Sequence, residues 1–361
     1  MVDSVTGLRL SVENLIRLVC VALAALVLAA CGGDDDEEEG AESPATATET
    51  AAAGEDIQVG LVTDVGQLND RGFNQLAYEG VQQAERELGI ESRVLESASD
   101  SDYVPNMSQL AEEGFDLIVG VGFAQGEAVA TVAQEFPETR FAIIDVDQSS
   151  LEGKPENVVG LIFREEEVGY LAGYLAALVA QREEGEDVIS SVGGMKEPPV
   201  DRFIAGYQAG AKAAVPGIEV LNGYSQDWDD LAKCKEVALD QIARGSSIVF
   251  QVAGGCGLGA LDAAEERDLW GIGVDADQSF LGPHILTSAQ KKVDRAVYLT
   301  IESIVNDEWQ GGRNLVFGLE EEGVGLGKVS SEVSEEDLAT VEDVEQQIAS
   351  GEIADIPTEV P

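Results

Sequence analysis

The sequence predicts an α/β protein of two lobes, each built on a doubly wound parallel sheet. Apolar runs bounded by turn residues alternate with segments of 3.6-residue periodicity, which is the pattern of βαβ units. The alternation restarts once along the chain, and the 361 residues are 44% hydrophobic, enough to fill two cores. From Ile57, "IQVGLVT" reads as a strand, "FNQLAYEGVQQAERELG" as a helix, "SRVLES" as a strand and "YVPNMSQLAEEG" as a helix. "DLIVGVG", "AVATVAQEF", "RFAIID" and "NVVGLIF" complete the first cycle. The second cycle runs from "EEEVGYLAGYLAALVAQ" through "VISSVGG", "FIAGYQAGAKAAV", "EVLNGYS", "LAKCKEVALDQIARG", "SIVFQVAGG" and "ALDAAEERD" to "LWGIGVDAD". The helical "KKVDRAVYLTIESIVNDEWQ" and strand-like "NLVFGLEE" are expected to cross back between the lobes. These divisions give a first lobe of 57–163 with 286–310, a second of 164–285 with 311–330, and an acidic helical tail over 331–361. Two lobes joined by more than one crossing form a cleft that closes by hinge motion.

Arg9 and Arg17 precede "LVCVALAALVLAAC", an apolar stretch shorter than the roughly twenty residues a spanning helix needs. Residues 1–30 therefore read as a signal peptide. Its end, "LAAC", resembles the bacterial lipobox, which implies cleavage before Cys31 and lipidation of that thiol; a signal anchor is the alternative. The expected location is the extracytoplasmic face of the cell membrane, held by lipid. Residues 31–56 are rich in acids, alanine and threonine and poor in bulky apolar groups, the composition of a disordered acidic tether. The formal charge of −48 opposes binding to nucleic acid or to anionic lipid headgroups.

Cys20 falls in the signal and Cys31 carries the expected lipid, so Cys234 and Cys256 remain in the folded part. An exported chain with one remaining pair suggests a disulfide, with two buried thiols as the alternative. The single histidine, His284, leaves no Cys/His dyad, and no nucleophile, base and orienting acid can be assembled from motifs. No metal-ligand spacing is apparent, so neither metal nor cofactor is expected. "GGCGLG" at 254–259 follows a strand and precedes a helix, but it lacks the lysine and hydroxyl residue of a phosphate loop. The chain is not expected to be an enzyme; a glycosidase or nucleosidase using paired acids would need a positioned general acid.

The stretch "TDVGQLNDRGFN", residues 63–74, gathers acids, amides, glycines and an aromatic at a strand's carboxyl end, where α/β proteins collect ligand contacts. It resembles the signature of the basic membrane protein family of ABC transporter solute-binding lipoproteins, roughly T-D-x-G-G-x-x-D-x-S-F-N. Thr63, Asp64, Gly66, Asp70, Phe73 and Asn74 match, whereas Gln67 and Gly72 stand where the pattern has glycine and serine. "IVGVGF", "FAIIDVD", "EEEVGYLAGYLAAL", "VGGMKEPPVDRFIAGYQAGA", "VFQVAGGCGLGAL", "WGIGVDADQ" and "TSAQKKVD" follow in the family's order. The resemblance implies a type I periplasmic-binding-protein fold and a nucleoside receptor, with purine the expected base, that feeds an ABC permease and its ATPase subunits.

The resemblance also implies roles. Asp275 corresponds to an aspartate that binds ribose hydroxyls, with a turn or helix-capping acid as the alternative. Lys291, or its neighbour Lys292, reaches the ligand, and Asp145, with Asp147 as competitor, contacts the base side. Phe73 supplies one stacking face and Phe250 the opposite one, core packing being the alternative for each. Asp64 and Asn74 add polar contacts, and Gly254 and Gly255 let a backbone approach the ligand. A sugar or other small metabolite would suit the same groups, and a ligand-sensing surface lipoprotein would share the fold.

Overall fold

The computed structural model describes residues 54, 56–66, 68–182 and 187–361. The signal peptide, Cys31, almost all of the tether and Gln67 lie outside the described residues. The first lobe begins β1 (Gln58–Val65), α1 (Phe73–Leu88), β2 (Glu91–Ser97), α2 (Tyr103–Glu112), β3 (Leu117–Gly120), α3 (Gly126–Glu135), β4 (Arg140–Ile144) and β5 (Val158–Phe163). The second follows as α4 (Glu165–Arg182), β6 (Val188–Gly193), α5 (Pro198–Ala214), β7 (Glu219–Tyr224), α6 (Leu231–Ala243), β8 (Ile248–Val252), α7 (Gly257–Glu265), β9 (Trp270–Asp275) and β10 (Ile285–Lys291). The chain ends with α8 (Val293–Val305), β11 (Arg313–Phe317), β12 (Val324–Leu326) and α9 (Glu335–Ala349).

Two six-stranded sheets result, ordered β11-β5-β4-β3-β1-β2 and β12-β10-β9-β8-β6-β7. Every described pairing is parallel except that of β12 with β10. Strands β3, β6 and β8 are buried throughout, as expected where helices cover both faces of a parallel sheet. Each sheet therefore presents its strand ends, and the loops that follow them, along one edge.

The late crossings differ from the division expected from sequence. β10 pairs with β9 in the second lobe, whereas 286–310 was assigned whole to the first. Helix α8 does return to the first lobe, where the Asp294 backbone lies against Gly80 of α1. β11 then pairs with β5 in the first lobe rather than joining the second, and β12 closes the second sheet. Apolar patterning identifies a strand but not the sheet edge that accepts it, and three-residue β12 is too short to show a pattern. The tail is also more than an acidic appendage. Val341, Val344 and Ile348 of α9 are buried, and Arg182 bridges to Asp337 at 2.6 Å.

Helices α4 and α5 touch backbone to backbone. A Cβ on Gly169 or Gly173 would stand 2.3 or 2.0 Å from the carbonyl oxygens of Phe203 and Tyr207. Reciprocally, one on Gly206 or Gly210 would stand 2.2 or 1.9 Å from those of Glu166 and Tyr170. Glycine four residues apart on each helix is what permits this approach. On an open helix, Gly→Ala gains about 1 kcal/mol in propensity. Here Gly173→Ala is expected to lose roughly 1–3 kcal/mol net, because the new methyl group overpacks the interface. Urea unfolding monitored by circular dichroism measures it, and a stabilised variant would contradict the described contact.

Candidate functional site

The strand ends of the two lobes face one another across a cleft lined by residues of both. From the first lobe, Asp64, Phe73, Asn74, Gly122, Phe123 and Asp145 line it. From the second come Glu197, Trp228, Gly254, Gly255, Asp275 and Lys291, backed by Phe203 and Val252. The lips also meet: the Gln278 side chain donates to the Arg71 carbonyl at 3.4 Å, and the Arg71 guanidinium lies 5.9 Å from the Phe280 ring centre.

The 63–74 loop is organised by its own acids. Asp70 accepts the backbone N–H groups of Gly72, Asn74 and Gln75 at 2.9, 2.8 and 3.2 Å, so it caps α1 and fixes Phe73 at the helix's first position. Asn74 accepts the Asp64 N–H at 3.0 Å, tying the helix start to the end of β1. Asp64 Oδ1 accepts from the Tyr103 hydroxyl and, at 2.7 Å, from Val65 N–H. Burial raises the Asp64 carboxyl to about 6 despite those hydrogen bonds. Gly72, where the family pattern has serine, directs its open side at Asp275; a Cβ there would lie 3.5 Å from Oδ2.

Lys291 forms the centre of the inner wall. It is 2% exposed, and its ammonium donates to Asp145 at 2.5 Å and Glu165 at 2.7 Å. The same nitrogen stands 5.1 Å from the Phe73 ring centre and 4.9 Å from that of Phe163. Burial works against the charged amine, but Asp145, Glu165 and Asp275 outweigh it and hold its pKa above the ordinary lysine value. Asp145 and Asp275 end equivalent strands and both adopt left-handed backbone, with φ of 69° and 63°. Such strain at two facing carboxylates is characteristic of a functional site. No hydrogen bond from a described residue reaches the Asp275 carboxylate, and burial pushes it up to about 7.

Phe250 departs from its expected role. It is fully buried on β8, with its ring 5.0 Å from that of Tyr207 and 6.3 Å from that of Phe203. Phe250 and Val252 share one face of β8, but Val252 ends the strand at the cleft whereas Phe250 lies two residues back, packed on α5. The second-lobe aromatics lining the cleft are instead Phe203 of α5 and Trp228, in the loop between β7 and α6. Its indole occupies the space above Gly194, where a Cβ would fall 2.3 Å from the ring. Its carbonyl accepts from Cys256 N–H at 2.7 Å, and Cys256 is disulfide-bonded to Cys234, with Cα atoms 5.6 Å apart. Sequence reasoning treated this stretch as a connection. An aromatic among acids after a strand, the signal that marked Phe73, recurs in "DWDD". Glu197 was also passed over, inside "MKEPP".

The buried acids have a consequence for stability. Asp64 and Asp275 bind protons more tightly when folded than at the ordinary 3.8, and burial raises Glu165 as well. Their stabilisation is complete below the unfolded carboxyl values and is lost as pH rises through 6 to 7. The ligand-free protein is therefore expected to melt at a lower temperature at about pH 8 than at about pH 5. Asp275→Asn should flatten that slope in scanning fluorimetry; a melting temperature that rises over this range would refute the linkage.

Comparison with known proteins places this site in context. Residues 57–358 match the family described as ABC transporter substrate-binding protein PnrA-like. An uncharacterized lipoprotein of Pyrococcus furiosus is 36% identical over 76% of this chain and 71% of its own length. The ABC transporter nucleoside-binding protein BmpA of Lactococcus lactis is 32% identical over 75% of this chain and 82% of its own. Among solved structures, an ABC transporter solute-binding protein from Aeropyrum pernix superposes with a TM-score of 0.76 at 29% identity, covering 83% of this chain and 94% of that one. The two sheets, the lined cleft and the extent of these matches agree: the chain belongs to the Bmp family of PnrA-like ABC transporter substrate-binding proteins.

Proposed function

We propose that the protein is a lipid-anchored extracytoplasmic receptor that closes its two lobes on a purine nucleoside and delivers it to an ABC permease. The observation that carries this is the composition of the cleft: Phe73 on one wall and Trp228 on the other, with Asp275 between the lobes reached by no hydrogen bond from a described residue. Two aromatic faces suit a planar base, and an unpartnered carboxylate suits the vicinal hydroxyls of ribose. Asp64, Asn74 and Asp145 give the base polar partners, while Lys291 holds Asp145 in place from beneath Phe73. Glycine at 254, with φ of 53°, and at 255 keeps the loop after β8 free of side chains where a ligand would pass. The name of the Lactococcus relative supports this ligand class, and the lipoprotein names of the Pyrococcus relatives support the anchor read from "LAAC". No helix among the described residues is long and apolar enough to cross a membrane.

Binding of adenosine, guanosine or inosine should raise the melting temperature, since a ligand that favours the native state stabilises it. A panel that also includes pentoses and hexoses separates nucleoside from sugar; heat only with the sugars would replace the proposed ligand. Asp275→Ala is expected to weaken nucleoside binding by about 1.5–3 kcal/mol, the scale of a hydrogen bond to a charged group, with the circular dichroism spectrum retained. Trp228→Ala should weaken it by about 1–3 kcal/mol, the scale of base stacking on an aromatic side chain. Phe250→Leu, a core change, should alter stability more than affinity. Cys31→Ser should move the protein from the membrane fraction to the soluble one.

A further inference from the structure

Glu197 is the cleft's unexplained acid. It lines the cavity from the second lobe, is half-buried, and no hydrogen bond or ion pair of a described residue satisfies its carboxylate. Both cations near it in sequence are engaged elsewhere. Lys196 is bonded to Asp201 at 2.6 Å, and Arg202 reaches Glu166 at 3.4 Å. An acid at a helix start is ordinarily satisfied by the first backbone amides. Glu197 stands at that position on α5, but Pro198 and Pro199 have no N–H to offer, and its carboxylate makes no capping bond to the next amide, that of Val200. The two prolines also stiffen the approach, so the backbone that carries Glu197 is held in place.

The surroundings make this carboxylate more costly still. Burial and then the negative charges of Asp64, Asp145 and Asp100 raise its pKa, with Asp64 the strongest charged neighbour. Asp64 belongs to the first lobe, at the end of the cleft marked by Phe73 and Asn74, while Lys291 is already bonded to Asp145 and Glu165. Two acids from opposite lobes thus line one cavity, and no cation of a described residue pairs with either. A ligand that fills this space with hydrogen-bond donors would relieve both. Of the nucleobase edges, the one with adjacent imino and amino N–H groups matches a carboxylate in the bidentate manner; adenine places an acceptor at the corresponding ring nitrogen.

We infer that Glu197 is a specificity-determining residue, which accepts the paired N–H donors of a guanine-type edge and so ranks guanosine above inosine and inosine above adenosine. This inference rests on the nucleoside reading above. Calorimetric titration of the wild-type protein, Glu197→Gln and Glu197→Ala with the three nucleosides tests it, with unfolding curves to confirm that both variants fold. The wild type is expected to bind in the order stated. Both variants should weaken guanosine by about tenfold or more and inosine by less, leaving adenosine within about twofold, as expected for loss of charged hydrogen bonds. An equal effect on all three ligands, no effect, or a wild-type preference for adenosine would overturn the role of Glu197 while leaving the nucleoside reading intact. Wild-type protein that binds none of the three removes both.

Discussion

One buried ammonium organises the molecule. Lys291 ends a second-lobe strand, Asp145 follows a first-lobe strand, and Glu165 opens the helix that makes the first crossing between them. Desolvating such a group costs several kcal/mol, and only short, well-directed bonds to anions offset it. Because the partners come from three separate parts of the chain, the bonds form only when both sheets and the crossing are in register. The aromatic rings of Phe73 and Phe163 enclose the same nitrogen, so a polar lock and part of an apolar wall share one structure. Acceptors outnumber donors there: Glu165 Oε2 is buried without a hydrogen bond, and Asp275 adds a third negative charge nearby.

Around that lock, function and scaffold are divided among neighbouring residues. Asp70 spends its carboxylate on the start of α1 and so acts on the cleft only through Phe73 and Asn74. Asp227 does the same beside Trp228: it accepts the N–H groups of Asp229 and Asp230, each at 2.9 Å, and pairs with Lys233 at 2.6 Å. The Cys234–Cys256 bridge then joins α6 to the turn before α7, and the Cys256 amide holds the Trp228 carbonyl. Closing a loop of 22 residues restricts the unfolded chain by roughly 3 kcal/mol in the entropy account of disulfides. Neither aromatic wall depends on a flexible loop alone.

The alternation of strands and helices was legible because parallel strands buried on both faces leave continuous apolar runs, as in "DLIVGVG" and "SIVFQV". Of the residues expected in the cleft, Asp64, Phe73, Asn74, Asp145, Gly254, Gly255, Asp275 and Lys291 do line it, at strand ends, in the loops that follow them or, for Phe73 and Asn74, at the start of α1. Phe250 does not, because it lies inside its strand, two residues short of the cleft end, where its face is covered by α5. Trp228 and Glu197 were missed for a different reason. Both act through space opened by distant glycines or denied by adjacent prolines, which no local periodicity records. The assignment of β10 and β11 to sheets was similarly out of reach, since an apolar run marks a strand without recording which of two like sheets it joins.

The close crossing of α4 and α5 bears on how rigidly the second lobe holds its share of the cleft. Helix α4 starts at Glu165, in the bonds around Lys291, and α5 starts just beyond Glu197, at the cleft wall. With backbones in contact at four glycines, the pair has no soft layer of side chains in which one helix can slide along the other. The two helices form a single lever. Both belong to the second lobe, so the prolines and the acid at the start of α5 are carried as one body with the Glu165 end of α4.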